Sequence, residues 1–195
     1  MHLKKIIVAF LVVISYNLQA QDDVLTDTRD NNTYAILRVG NKIWMAENLK
    51  FKSTGAKMYD NNTGNLKWYG MLYSWDEANK VCPTGWHLPS DDEWKELEKA
   101  LGIPESELNK DEFRGSGATE LIKGGKTGFN VQMAGYFYDE AGKYFQMNQV
   151  AHFWTSSLFN QTYPWKRIFK AGSDQISRSR MFDKADLCSV RCVQD

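Results

Sequence analysis

The longest unbroken apolar run of the chain is its first. Residues 6–14 read IIVAFLVVI, they follow Lys4 and Lys5, and a polar stretch begins after Ala20. A basic start, a short apolar run and a small residue before a polar segment make the layout of an export signal. The run is about half of the ~20 residues that a membrane-spanning helix needs. Residues 1–20 are therefore expected to be a cleaved signal peptide, and the rest an exported chain at the cell surface, in the periplasm or outside the cell, not spanning the membrane. The expected cut follows Ala20, although Leu18 departs from the small residue usual two places earlier, and no cysteine stands near it to carry a lipid. Residues 21–32 (QDDVLTDTRDNN) are polar and aperiodic, a segment expected to stay flexible or to be loosely tied to the domain that spans 33–195.

From Thr33 onward the apolar positions come in short runs. Residues 34–39 and 42–46 predict two strands, joined by Gly40-Asn41, a pair that tolerates positive φ and so suits a tight hairpin. Residues 60–65 (DNNTGN) predict a loop, since Asp, Asn and Gly favour turns over regular structure. Two helices are expected next. Ser74 with Glu77, and Ser90 with Glu93, have the spacing of capping boxes, in which each side chain satisfies the other residue's free backbone N–H. Over residues 91–101 the apolar Trp94, Leu97, Ala100 and Leu101 share one face, and Gly102 can end the helix. Asp91, Asp92 and Glu93 are explained by the positive end of that helix. Pro83 and Pro89 keep the link between the helices extended or turned. Beyond Gly102, residues 129–138, 143–147, 153–157, 165–170, 175–180 and 188–193 predict strands, with a turn at 139–142. The pattern as a whole is α+β: two helices packed on a meandering antiparallel sheet.

Charge and composition narrow the function classes. Lys and Arg total 24 against 24 Asp and Glu, with no clustered basic face to favour nucleic acid. Seven tryptophans are spread along the chain, and their bulk predicts that most belong to the core. The three cysteines, Cys82, Cys188 and Cys192, cannot all pair within one chain. Four apart in one strand, Cys188 and Cys192 would lie about 13 Å from each other, too far to bridge. Either can therefore meet Cys82, and Cys192 is taken as its partner in the one disulfide that closes the domain. Cys188 is then a thiol, buried as a small apolar residue or open to an intermolecular partner.

Five segments carry a resemblance. GNKIWMAENL from Gly40, YGMLYSW from Tyr69, CPTGWHLPSDDEW from Cys82, FWTSS from Phe153 and SVRCV from Ser189 together resemble the Fibrobacter succinogenes major paralogous domain family. The WHLPS segment with its following EW is also similar to formylglycine-generating-enzyme and C-type-lectin domains. The resemblance implies an exported or surface bacterial domain with a C-type-lectin-like fold. In such folds a cysteine near a helix end is tied to one in the last strand, in agreement with Cys82 and Cys192. Cys188 departs from the family's pattern.

The search for chemistry leaves a surface and no catalytic set. His87 and His152 stand without a recognisable nucleophile and are expected to have structural roles. The segments that bind sugar through calcium in lectin-like domains do not occur, residues 60–65 are expected to be an ordinary turn, and no metal or cofactor is predicted. Residues 159–167 (FNQTYPWKR) mix aromatic faces with planar polar groups, a composition suited to recognition. Asn160, Gln161, Tyr163, Trp165 and Arg167 are accordingly the expected ligand surface. The expected function is a non-catalytic binding module for a glycan or protein, with a structural role in an envelope or extracellular assembly as the alternative.

Overall fold

The computed structural model describes residues 24–195, and the expected signal peptide lies outside the described residues. The chain begins with β1 (Val24–Thr26), β2 (Thr33–Val39) and β3 (Lys42–Met45), then α1 (Thr63–Tyr69), β4 (Leu72–Tyr73), α2 (Trp75–Ala78), β5 (Trp86–His87) and α3 (Asp91–Ala100). Next come α4 (Glu105–Leu108), β6 (Glu112–Arg114), α5 (Ala118–Leu121), β7 (Tyr136–Tyr138) and β8 (Lys143–Phe145). The last part holds β9 (Val150–Leu158), β10 (Pro164–Lys170), β11 (Ile176–Ser179), β12 (Cys188–Ser189) and β13 (Val193–Gln194). The architecture is α+β, as expected, with five short α-helices among the described residues where two helices were expected.

The sheet is not a simple meander. One sheet has the order β1-β2-β3-β13-β5, a second the order β4-β12-β9-β10-β11-β6, and β7 and β8 form a separate hairpin. The strand pairings are antiparallel except for β12 with β9. The expected terminal strand 188–193 is split between the sheets: β12 pairs in the second, β13 in the first. Between them the Val190 and Cys192 carbonyls accept the N–H groups of Leu49 and Met45, which draws the chain from one sheet to the other. The sheets are then closed by the Cys82–Cys192 disulfide, which ties residues 110 apart in sequence. Cys188 is a free and fully buried thiol.

Several local expectations meet a different outcome. The hairpin at Gly40 forms in the expected register, with Val39 opposite Lys42. Gly40 alone of its two turn residues takes a positive φ, 60°. The expected loop 60–65 is a 3-10 turn followed by the start of α1, because the Asn62 side chain, which competes with the backbone elsewhere, here accepts the Gly64 N–H as an N-cap. The capping box at Ser90 is complete, whereas Ser74 makes no side-chain cap and Glu77 instead accepts the Gly55 N–H. The expected strand 129–138 is reduced to β7. Asn130 is left-handed (φ 53°), and so is Gly135 (φ 66°), where a Cβ would come 2.3 Å from the Phe145 carbonyl oxygen. Val24–Thr26, within the segment expected to be loose, pairs with β2, and the buried Asp27 is held by Arg29 at 2.6 Å. Arg29 also donates to the Val81 carbonyl.

The apolar face of α3 meets the sheets as its periodicity predicts. Trp94 lies 5.2 Å from Trp44, 5.8 Å from Phe153 and 6.1 Å from Phe129, ring centroid to centroid, an edge-rich aromatic cluster. The flank of α3 next to its apolar face carries a buried ionic layer. Asp91 and Glu98 receive Arg167 of β10, with Arg178 of β11 on Asp91 and Arg114 of β6 on Glu98. This layer fixes the helix to three adjacent strands. Burial alone would raise the Asp91 carboxyl, but the hydrogen bonds and charges of Arg178, Arg167 and Lys95 outweigh it and hold it well below the usual carboxylate range. Helix polarity therefore accounts for only part of the acidic start of α3.

Candidate functional site

Trp44, Trp86, Trp94, Trp154 and Trp165 are buried and Trp75 is half-buried, while Trp68 keeps 55% of its surface exposed. Its position follows from α1. Leu66 and Tyr69, three apart, share the inward side of that helix and leave Trp68 on the opposite side. A cavity of about 280 Å³ opens beside the exposed ring. Asn48, Gly70 and Asn130 form part of its wall, and Lys50, Lys67, Lys123 and Gln132 also line it. The Lys67 and Lys123 ammonium groups lie over the Trp68 ring, 4.9 and 5.2 Å from its centroid. Lys50 is paired with Glu47.

The wall of this cavity is rigidly built. Asn48 is 2% exposed; its Nδ2 donates to the Tyr69 carbonyl and to Ser189 Oγ, and its Oδ1 accepts from Arg191. Arg191 in turn donates to the Phe129 and Asn130 carbonyls. Gly70 is required here: its φ is 74°, and a Cβ would meet the Leu49 carbonyl oxygen at 2.7 Å and Asn48 Cβ at 2.9 Å. An exposed indole face offers an apolar platform, and the amides of Asn130 and Gln132 and the ammonium groups offer polar partners around it. That combination fits a small polar ligand with one apolar face.

The sequence-predicted surface is divided by the fold. Asn160, Gln161 and Tyr163 are exposed on the connection between β9 and β10, where Asn160 Oδ1 accepts the N–H groups of Thr162 and Tyr163. Tyr163 borders an acidic cavity with Asp139, Glu140, Asp183 and Asp186. Trp165 is 8% exposed, covered by Arg178 at 3.4 Å and by the edge of Phe159. Arg167 has no exposed surface and belongs to the ionic layer of α3. Trp165 and Arg167 are thus removed from the expected ligand surface, because alternate residues of β10 face the buried carboxylates.

The two histidines take separate roles. His87 Nδ1 lies 2.6 Å from Asp195 Oδ1 and its Nε2 2.9 Å from Glu93 Oε1, which joins the C-terminal residue to the cap of α3. Burial would raise the Glu93 carboxyl, yet Lys42, the Ser90 N–H and His87 bring it down to about 2. His152 is buried, stacked on Tyr136 at 4.5 Å. Among the described residues no group of three or more His, Cys, Asp or Glu side chains is placed to hold a metal ion. No described helix is long and apolar enough to cross a membrane.

The model of the Fibrobacter succinogenes major domain matches residues 37–194. The chain belongs to this family. Neither a search of curated proteins nor one of solved structures returns a match. Within the Fibrobacter succinogenes major domain lie all the cavity residues, from Glu47 to Gln132, together with the Arg191 beneath them. The segments AENL, YG and SVRC, remote from one another in sequence, meet at that wall through Asn48, Gly70, Ser189 and Arg191. Sequence reasoning missed Trp68, because seven tryptophans give no sign of which one faces outward. The available signal was helical spacing in α1, which the polar composition of residues 60–65 concealed.

Proposed function

We propose that the protein is an exported, non-catalytic binding module with a C-type-lectin-like scaffold, and that it takes a saccharide at the Trp68 cavity. Export is supported by the basic, apolar and small-residue layout of residues 1–20 and by a structural disulfide, a bond suited to oxidising compartments. The scaffold reading rests on short helices against mostly antiparallel sheets, with a cysteine beyond a helix tied to the C-terminal segment. The observation that carries the binding reading is Trp68 itself: a large indole left half open beside a walled cavity, where five other tryptophans are buried and Trp75 is half-buried. Sugar rings present an apolar face of C–H groups and a polar edge, and this pairing of platform and amides accommodates both.

A saccharide array and a pull-down with the purified protein, run beside Trp68→Ala, test the reading. The expected outcome is retention of specific saccharides by the native protein and their loss from the variant. Folded protein that retains none, or a variant that binds as well as the native chain, contradicts it. N-terminal sequencing of the protein recovered from expressing cells tests export, with a start at Gln21 expected and an intact Met1 end contrary. A structural role through cross-linking at Cys188 is disfavoured by the full burial of that thiol.

A further inference from the structure

Arg191 is buried differently from the arginines of the α3 ionic layer. Arg114, Arg167 and Arg178 each meet a carboxylate. Arg191 is 1% exposed, and its partners are neutral oxygens: Asn48 Oδ1 at 2.7 Å, the Asn130 carbonyl at 3.2 Å and the Phe129 carbonyl. Its Nε has no partner, and no carboxylate pairs with it among the described residues. A charge taken out of water without a counter-ion is costly, and its field extends through low-dielectric surroundings to the nearest opening. Asn48 and Asn130, the residues that hold Arg191, line the Trp68 cavity. Burial draws the Arg191 guanidinium down to about 9, which still leaves it charged at neutral pH.

The rim repeats the sign. Lys67 and Lys123 stand over the Trp68 ring as cation–π partners, and neither forms an ion pair among the described residues. Glu47, the acid of the lining, is engaged by Lys50. The cavity therefore has three cationic groups with no carboxylate at ion-pair distance among the described residues, the two lysines over Trp68 and Arg191 behind Asn48 and Asn130, where the charge of Glu47 acts on it only from farther away.

We propose that the ligand of this cavity is an anionic saccharide, one whose carboxylate or sulfate draws Lys67 and Lys123 off the Trp68 ring and whose sugar ring takes their place on the indole. The inference rests on the saccharide reading of the same site and adds the charge of the ligand. It assigns Trp68 to ring contact and the lysines to charge selection.

Titration calorimetry with two matched pairs tests it: an oligogalacturonate against its neutral methyl ester, and a sulfated galactan oligosaccharide against its desulfated form. At least one anionic member is expected to bind tenfold or more tighter than its neutral partner at 50 mM salt, with the gap narrowing as salt rises, because exposed charges are screened. The pair that shows the gap identifies carboxylate or sulfate as the selected group. Lys67→Gln with Lys123→Gln is expected to remove most of the preference, read as the ratio of anionic to neutral affinity within the variant, and Trp68→Ala to remove binding of both members. Neutral and anionic members that bind equally well, with Trp68 still required, overturn the charge assignment and leave the saccharide reading standing. Absence of binding by all four to folded protein overturns both.

Discussion

Arg167 and Arg178 are buried against Asp91, whereas Lys166 is 1% exposed and meets no carboxylate at ion-pair distance among the described residues; its ammonium lies over the Phe182 ring. The two arrangements predict opposite responses to mutation. Asp91→Ala removes a carboxylate shared by two buried guanidinium groups, leaving Arg167 with Glu98 alone and Arg178 with Asp111 alone, and is expected to cost about 3 kcal/mol, measured by urea unfolding at neutral pH. Lys166→Met removes a desolvated charge and is expected to stabilise. Burial draws the Lys166 ammonium down to about 7, with Cys188 and Asp186 opposing. Between that value and the ordinary lysine range the unfolded chain binds more protons than the folded one, so stability rises with pH. A rise of about 2 kcal/mol from pH 7 to 9 is expected in the native protein and should flatten in Lys166→Met. An unchanged slope in the variant would assign the rise to another group. At this scale the sequence was weakest: Trp165 and Arg167 have the composition of a recognition surface, and only the facing of β10 shows that they seal a buried layer. The helical spacing that turns Trp68 outward is hidden by the polar residues 60–65, whose composition reads as a loop.

Among the elements, local chemistry was legible where its geometry is self-contained. The Ser90 box closes within four residues, and α3 forms where its spacing predicts. Ser74 has the same spacing, but α2 is a single turn and Glu77 is drawn to Gly55, so tertiary contact overrides the local motif. Ser90→Ala is accordingly expected to cost about 1 kcal/mol, and Ser74→Ala only a few tenths, in parallel denaturation curves. Equal costs would contradict the difference between the two caps. Residues 129–134 show the converse failure. Their apolar run reads as a strand, yet Asn130 turns left-handed and the carbonyls of Phe129 and Asn130 are taken by Arg191, a partner about sixty residues away. Periodicity cannot register such a partner. The same holds for residues 188–193, whose apolar run continues although the chain changes sheets within it.

For the whole molecule, the C-terminal segment is the joint: it contributes a strand to each sheet, one half of the disulfide and the guanidinium beneath the cavity. The α+β class was legible from the chain; cysteine number and spacing left Cys82 with either Cys188 or Cys192, and the choice of Cys192, in agreement with the family resemblance, is the pairing found. Sheet order was not legible, because long-range pairing leaves no local trace. Opening the bridge with Cys82→Ser and Cys192→Ser should lower stability by about 4–5 kcal/mol on loop-closure grounds, seen as a lower melting temperature that reductant no longer changes. A double variant as stable as the native chain would show that the non-covalent contacts suffice. The site depends on this joint, which brings Arg191 under Asn48 and Asn130.

The claim that the ligand enters beside Trp68 is tested most directly by following the indole N–H signals of the seven tryptophans in a nitrogen-15-labelled sample as an acidic oligosaccharide is added. The signal that Trp68→Phe removes should move most, while those of the five buried tryptophans stay nearly fixed. Shifts centred on Trp165 and the connection between β9 and β10, with the Trp68 signal unmoved, would contradict the account.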